Sequence, residues 1–89
     1  MANLYLLDKA IGQNALPIAV QDKGAKVVLI QDGVYLETEP LRAAGTEVFA
    51  IGQDVQKRGI AGSLPSYVKV IDYGQLIDLV FANKVINFS

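Results

Sequence analysis

Aspartates that follow apolar runs are the residues of this chain best placed to do chemistry. Asp8, Asp32 and Asp72 come within two residues of the end of such a run, and Asp54 comes within three. If the runs are parallel strands, their carboxyl ends meet at one edge of a sheet, where several carboxylates would lie close together. Such a cluster would predict a metal site or a phospho-acceptor site. The alternative, which we favour, is that each Asp caps the helix after its strand.

Arg58 and Tyr73 are the other polar side chains with a potential chemical role. Asp54 and Arg58 are four residues apart on a predicted helix. They are expected to form an ion pair that contributes about 0.2–0.5 kcal/mol. Arg58 could instead contact an anion. Tyr73, next to Asp72, could form a hydrogen bond or donate a proton, but a Tyr at a helix start more often packs its ring and leaves its hydroxyl in water.

Residue types that are absent exclude several kinds of chemistry. The sequence contains no Cys and no His, which removes disulfides, thiolate nucleophiles, His acid–base catalysis and the usual zinc sites. Hydroxyls are present at Thr46, Ser63 and Ser66, but no base that would activate them is evident. No glycine-rich phosphate loop follows any predicted strand. We therefore expect no cofactor, no metal and no catalytic residue.

The composition is typical of a small apolar domain with balanced charge. Of the 89 residues, 52% are hydrophobic, and a sheet buried on both faces or an oligomer interface would explain that share. Eight basic residues against nine acidic ones give a net charge of −1, so direct binding of nucleic acid is not expected. No apolar stretch reaches the roughly 18 residues of a membrane span, and the N-terminus lacks the pattern of a secretion signal. We predict a single domain over residues 1–89, located in the cytoplasm.

Alternating strands and helices must position these side chains. Apolar runs predict strands at residues 3–7, 26–31, 47–51 and 68–71, and residues 84–89 add a short strand or lie on the surface. Helical spacing predicts helices at residues 15–22, 53–58 and 73–83, with a short helix or turn within 34–44. This alternation implies right-handed βαβ units. The predicted fold is a small α/β domain with a mostly parallel sheet of four to five strands and helices on both faces.

The sequence predicts where the first helix begins and which side of the last helix is apolar. Pro17 is comfortable only in the first turn of a helix, so the first helix is expected to begin near Leu16. Along the last helix, apolar residues recur at helical spacing and predict one apolar stripe. The residues of that stripe are Leu76, Ile77, Val80 and Phe81.

The segment of residues 26–34, KVVLIQDGV, predicts both a buried strand and, at the end of that strand, a position where a ligand or partner could bind. Its apolar run does not alternate, which is typical of a strand buried on both faces of a parallel sheet. The run stops at Gln31, and Asp32-Gly33 predicts a tight turn in which Gly33 has a positive φ. Ligands and partners gather at such strand ends in open α/β sheets.

Three segments together resemble one family of proteins. They are LIQDGVYLE at residues 29–37, AIGQDVQKRGI at 50–60 and VIDYGQLIDLV at 70–80. Their order and spacing resemble the DsrH/TusB family of small sulfur-relay proteins, within the broader DsrE/DsrF/DsrH group. That family has a strand running into Q-D-G-V, then D-V-x-x-R-G, then a strand ending in D-Y before an amphipathic helix. The resemblance covers about two-thirds of the chain.

The resemblance implies a fold, partners and a pathway. The implied fold is an α/β domain with a mostly parallel sheet. Relatives assemble with DsrE-like and DsrF-like subunits, also known as TusD-like and TusC-like, into hetero-oligomers. These complexes pass persulfide sulfur between cysteines, either toward 2-thiouridine at the tRNA wobble position or within dissimilatory sulfur oxidation. The relay cysteine lies chiefly on the DsrE-like subunit, although some DsrH-type members carry one of their own.

This chain departs from the family at the relay cysteine, because it has none. The resemblance therefore implies a non-catalytic subunit that supports cysteine-bearing partners. A stand-alone homo-oligomer that keeps the fold without sulfur transfer is the alternative, and a small enzyme built on the carboxylates is a third hypothesis. The positions that match the family pattern, and that we expect to line an interface, are Gln31, Asp32, Gly33, Asp54, Arg58, Gly59, Asp72 and Tyr73.

Overall fold

A computed structural model describes residues 2–88, with all their side chains except those at positions 10, 11 and 88. The strands are β1 (Asn3–Leu7), β2 (Lys26–Leu29), β3 (Glu47–Ile51), β4 (Val68–Ile71) and β5 (Lys84–Phe88). The helices are α1 (Lys9–Gln21), α2 (Glu39–Ala43), α3 (Gly52–Lys57) and α4 (Tyr73–Ala82). Two 3₁₀ turns, Gln31–Tyr35 and Ala61–Ser63, follow β2 and α3. Within this part of the chain, no helix combines the length and the apolar character needed to cross a membrane.

The five strands form one sheet in the order β4-β3-β2-β1-β5, and every neighbouring pair is parallel. The C-terminal segment, predicted to be a strand or a surface tail, is the strand that pairs with β1. Because the strands are parallel, the carboxyl ends of β1, β2 and β3 lie side by side at one edge of the sheet. The predicted α/β fold with a parallel sheet is confirmed.

Apolar cores lie on both faces of the sheet, as predicted. The unbroken apolar run of β2 serves both cores, because Val27 and Leu29 enter one and Val28 enters the other. The first core contains buried residues of α1 and α2, including Ala15, Ala19 and Leu41. The second core contains Leu4, Val28, Phe49, Ile51 and Ile71, with Leu76 and Leu79 of α4 packed against it.

Helix α1 begins at Lys9, so the predicted start near Leu16 is wrong, and Pro17 lies in the helix interior. The Asp8 carboxylate accepts the N–H of Lys9, and the Asp8 carbonyl accepts the N–H of Gly12 at 2.6 Å. This N-terminal capping starts the helix early. Pro17 lacks the N–H that would bond the carbonyl of Gln13. Both residues are exposed, so water can satisfy that carbonyl and the helix continues.

The turn after β2 also differs from its prediction. Strand β2 ends at Leu29, and the residue at positive φ is Gln31, at 50°, rather than Gly33. Gly33 is required for a different reason: a Cβ atom there would overlap the carbonyl oxygen of Leu7 and lie 2.9 Å from its carbonyl carbon. The turn therefore rests directly on the end of β1, and only glycine allows so close an approach.

Candidate functional site

A cavity of about 500 Å³ opens at the carboxyl edge of the sheet. Its apolar lining comes from β1, β3 and α4 and from Ile30 directly after β2, and the turn Gln31–Tyr35 supplies part of its polar lining together with α3. The apolar residues are Leu6, Ile30, Ile51 and Leu76. The polar ones are Gln31, Asp32, Asp54, Lys57, Arg58 and Tyr73. Five of the eight sequence-predicted positions therefore meet at one cavity.

Arg58 forms the centre of the polar rim. Its Nε donates to Oδ1 of Asp32 at 2.8 Å, and its Nη1 donates to the carbonyl of Asp54 at 3.2 Å. The Nη1 also lies 3.6 Å from Oδ1 of Asp54, so the predicted ion pair between these two residues is present. The hydrogen bond with Asp32 is the largest cause of the raised pKa of Arg58. The guanidinium is thus neutralised by two carboxylates, which disfavours the alternative interpretation of Arg58 as an anion contact.

Asp54 connects α3 to the turn Gln31–Tyr35, which follows the neighbouring strand β2. Asp54 is buried, and its Oδ2 accepts the backbone N–H of Gln31 at 2.8 Å. A non-glycine residue at positive φ costs on the order of 1–2 kcal/mol, and Gln31 adopts that conformation at 50°. The charge-assisted hydrogen bond from Gln31 to Asp54 offsets a strain of this size. Sequence spacing gave no sign of this contact, because the two residues are far apart in the chain.

The remaining predicted positions have structural roles near the cavity. Asp72 caps α4: its Oδ1 accepts the N–H of Gln75 at 2.7 Å, and the Gln75 side chain accepts the N–H of Asp72 at 3.0 Å. This capping box directs Asp72 toward a neighbouring hollow between α3 and α4, which Tyr73 also lines. Gly59 ends α3 with a φ of 62°. Gly33 packs against the backbone of Leu7 at the end of β1 and does not line the cavity.

The strand-end aspartates therefore divide into two pairs. Asp8 and Asp72 cap helices, as the favoured interpretation predicted, whereas Asp32 and Asp54 hold Arg58. Residues 2–88 contain no group of three or more Asp, Glu, His or Cys side chains arranged to hold a metal ion. Lys57 and the apolar lining of the cavity were not predicted from the sequence. A signal for that lining was available in the strand-end positions that point to the α4 side of the sheet.

Helix α4 presents a large apolar surface to solvent. Not one of its residues is buried, and Phe81 is 82% exposed. Of the predicted stripe, Leu76 packs on the sheet beside Leu79. The other three members, Ile77, Val80 and Phe81, are exposed. We define the α4 face as the exposed side chains of Tyr73, Ile77, Val80 and Phe81, together with Val85 of β5. Because Tyr73 also lines the cavity, the α4 face and the cavity are adjoining surfaces.

Comparison with known proteins places the chain among sulfur-relay relatives. A family model described as "DsrH like protein" matches residues 13–86. The chain is 31% identical over 71 residues to Protein TusB of Salmonella arizonae, an alignment that spans 71% of this chain and 75% of that protein. It is 34% identical over 65 residues to Protein TusB of Escherichia coli, spanning 64% and 66% of the two chains.

The fold has a close counterpart among solved structures. The crystal structure of the ychN protein from E. coli is similar with a TM-score of 0.82, and the match covers 99% of both chains. The sequence identity is 19%, so this likeness establishes the fold alone. The three segments on which the resemblance was based all lie within the residues that the family model matches.

Proposed function

Because the chain belongs to the DsrH/TusB family, we propose that it is a non-catalytic subunit of a sulfur-relay complex. In this proposal a DsrE-like partner, assembled with a DsrF-like subunit, carries the persulfide toward wobble 2-thiouridine in tRNA or within sulfur oxidation. The chain holds such a partner and shapes the surroundings of its reactive cysteine. Family membership supports the sulfur relay, and the exposed α4 face is the observation that supports the role of a docking subunit.

The chemistry of sulfur transfer excludes these residues as carriers of the persulfide. A persulfide forms on a cysteine thiolate, and none of the 89 residues is a cysteine. The cavity at the carboxyl edge has no histidine to act as a base, and its arginine is neutralised by two carboxylates. The sulfur must therefore remain on a partner throughout the transfer, and the contribution of this chain is made through binding.

The α4 face has the properties of a surface that a protein partner covers. Helix α4 packs Leu76 and Leu79 on the sheet, yet it carries further large apolar side chains on a side that stays exposed. An exposed apolar patch of this kind marks a site of interaction. Asp78 is the only charged residue between Tyr73 and Ala82. Full burial of one side chain the size of Phe81 contributes about 1.5–3 kcal/mol. Aromatic residues of this kind are typical anchors of protein interfaces.

A co-purification experiment with two matched variants tests the proposal. The chain is co-expressed with DsrE-like and DsrF-like subunits from its own host, as wild type, as Phe81→Asp and as Ile18→Asp. Ile18 is also an exposed apolar residue, but it lies on α1 at the opposite face of the sheet. The wild type and Ile18→Asp should recover the partner, whereas Phe81→Asp should lose it, because a buried unpaired carboxylate opposes docking.

Three outcomes would contradict the proposal or redirect it. If the wild type recovers no cysteine-bearing partner, the chain is not a relay subunit. If it instead forms a stable oligomer with itself that Phe81→Asp disrupts, the alternative of a stand-alone homo-oligomer is supported. If Phe81→Asp recovers the partner as well as the wild type does, the α4 face is not the docking surface.

A further inference from the structure

The two carboxylates that hold Arg58 differ sharply in their exposure to solvent. The side chain of Asp32 is 62% exposed, whereas that of Asp54 is 13% exposed. An exposed ion pair is screened by salt and typically favours the closed arrangement by only about 1.5- to 5-fold. A carboxylate that accepts a backbone N–H in a buried setting holds its partner much more firmly. The ion pair of Asp32 with Arg58 and the bond from the Gln31 N–H to Asp54 therefore differ in strength.

The same residues join two separate elements at the rim of the cavity. Asp32 lies on the turn Gln31–Tyr35, while Asp54 and Arg58 lie on α3 and at its C-terminal end. One link between the elements is the exposed ion pair of Asp32 with Arg58. The other is the bond from the backbone N–H of Gln31 to Asp54. Loss of the first link leaves the second in place, and the turn stays formed.

We propose that these residues form a clasp on the cavity with one fixed link and one releasable link. Asp54 holds the turn at Gln31 in both states. Asp32 releases Arg58 in the open state, which leaves the Nε–H of Arg58 available as a hydrogen-bond donor at the cavity. The clasp is a property of the isolated chain and does not depend on the proposed relay function.

Hydrogen exchange measured by NMR distinguishes the two links residue by residue. The reporters are the backbone N–H of Gln31 and the Nε–H of Arg58. In Asp32→Ala, the exchange of the Arg58 Nε–H should accelerate by about 1.5- to 5-fold, while the Gln31 amide stays unchanged. In Asp54→Ala, exchange of the Gln31 amide should accelerate by about 10-fold or more. Asp78→Ala, which removes an exposed carboxylate on α4, should alter neither reporter.

Salt provides a second arm that needs no variant. Raising NaCl to 1 M shortens the Debye length to about 3 Å, which weakens the exposed pair far more than the buried bond. In the wild type, the Arg58 Nε–H should therefore exchange faster at high salt while the Gln31 amide does not. If Asp54→Ala fails to fold, the double variant Gln31→Gly/Asp54→Ala removes the cost of the positive φ and restores a testable chain.

The clasp is refuted by any result in which the links behave as one. Equal acceleration of both reporters in Asp32→Ala, or in salt, would mean that the turn opens with the ion pair. An unchanged Gln31 amide in Asp54→Ala would mean that Asp54 is not the fixed link. An Arg58 Nε–H that is insensitive to both Asp32→Ala and salt would mean that the releasable link does not exist.

Discussion

Gly33 is the position at which a single added methyl group tests the packing of the cavity turn most severely. In Gly33→Ala, the new Cβ would overlap the carbonyl oxygen of Leu7 and approach its carbonyl carbon to 2.9 Å. These neighbours are backbone atoms, so no flexible side chain can move aside. The turn Gln31–Tyr35 must therefore shift away from the end of β1.

The cost of that shift follows from the contacts it disturbs. Overpacking of a tight site costs about 1–3 kcal/mol. The same Leu7 carbonyl accepts the N–H of Ile30 at 3.0 Å, and losing that bond adds about 0.5–1.5 kcal/mol. The expected loss in the free energy of unfolding is then about 2–4 kcal/mol, a large share of the roughly 4–13 kcal/mol typical of a chain this long.

Urea denaturation followed by circular dichroism measures this loss, with Gly62→Ala as the matched control. A Cβ at Gly62 meets nothing within 4 Å, and its φ is not positive. Gly62→Ala should therefore remain within about 0.5 kcal/mol of the wild type. For an m-value of about 1 kcal/mol/M, Gly33→Ala should lower the urea midpoint by about 2 M or more. A Gly33→Ala protein as stable as Gly62→Ala would refute the described contact between the turn and β1.

Two further predictions concern groups outside the cavity. Burial, and then the hydrogen bond to Asp22, raise the pKa of Tyr5 to about 12. The folded state favours the neutral phenol, so this stabilisation is complete below the unfolded pKa of about 10 and is lost as pH rises toward 12. Tyrosinate absorbance should show a late titration near pH 12 that Tyr5→Phe removes, and the absence of that titration in the wild type would contradict the raised pKa of Tyr5. Asp72→Ala removes the capping box with Gln75 and should cost about 1 kcal/mol in urea denaturation, and no loss would exclude that role.

The strands and most helix ends could be predicted because they depend on local signals. Strand β2 was readable as an unbroken apolar run, and the start of α4 as an aspartate before an amphipathic segment. The start of α1 was not readable in the same way. Pro17 suggested a first turn, but its exposed position and the cap at Asp8 let the helix run through it. Local propensity was overruled there by an earlier and stronger start signal.

The cavity was predictable in its members but not in its geometry. The family pattern pointed to Asp32, Asp54 and Arg58, and parallel strands explain why they meet at one edge. The bond from Gln31 to Asp54 depends on the positive φ of Gln31. A positive φ is normally predicted from a glycine, and position 31 is not a glycine. Orientation of α4 was equally hidden, because periodicity identifies an apolar stripe without saying which side of it the sheet covers.

The central claim is that this chain supports sulfur transfer by a partner without carrying sulfur itself. The most direct measurement reconstitutes the complex with a persulfide-loaded DsrE-like subunit and follows sulfur arrival on the next acceptor by intact-protein mass spectrometry. Transfer should slow when this chain is omitted or replaced by Phe81→Asp, and the mass of this chain should never increase by one sulfur. Transfer at an equal rate with and without the chain, or sulfur appearing on the chain itself, would contradict it.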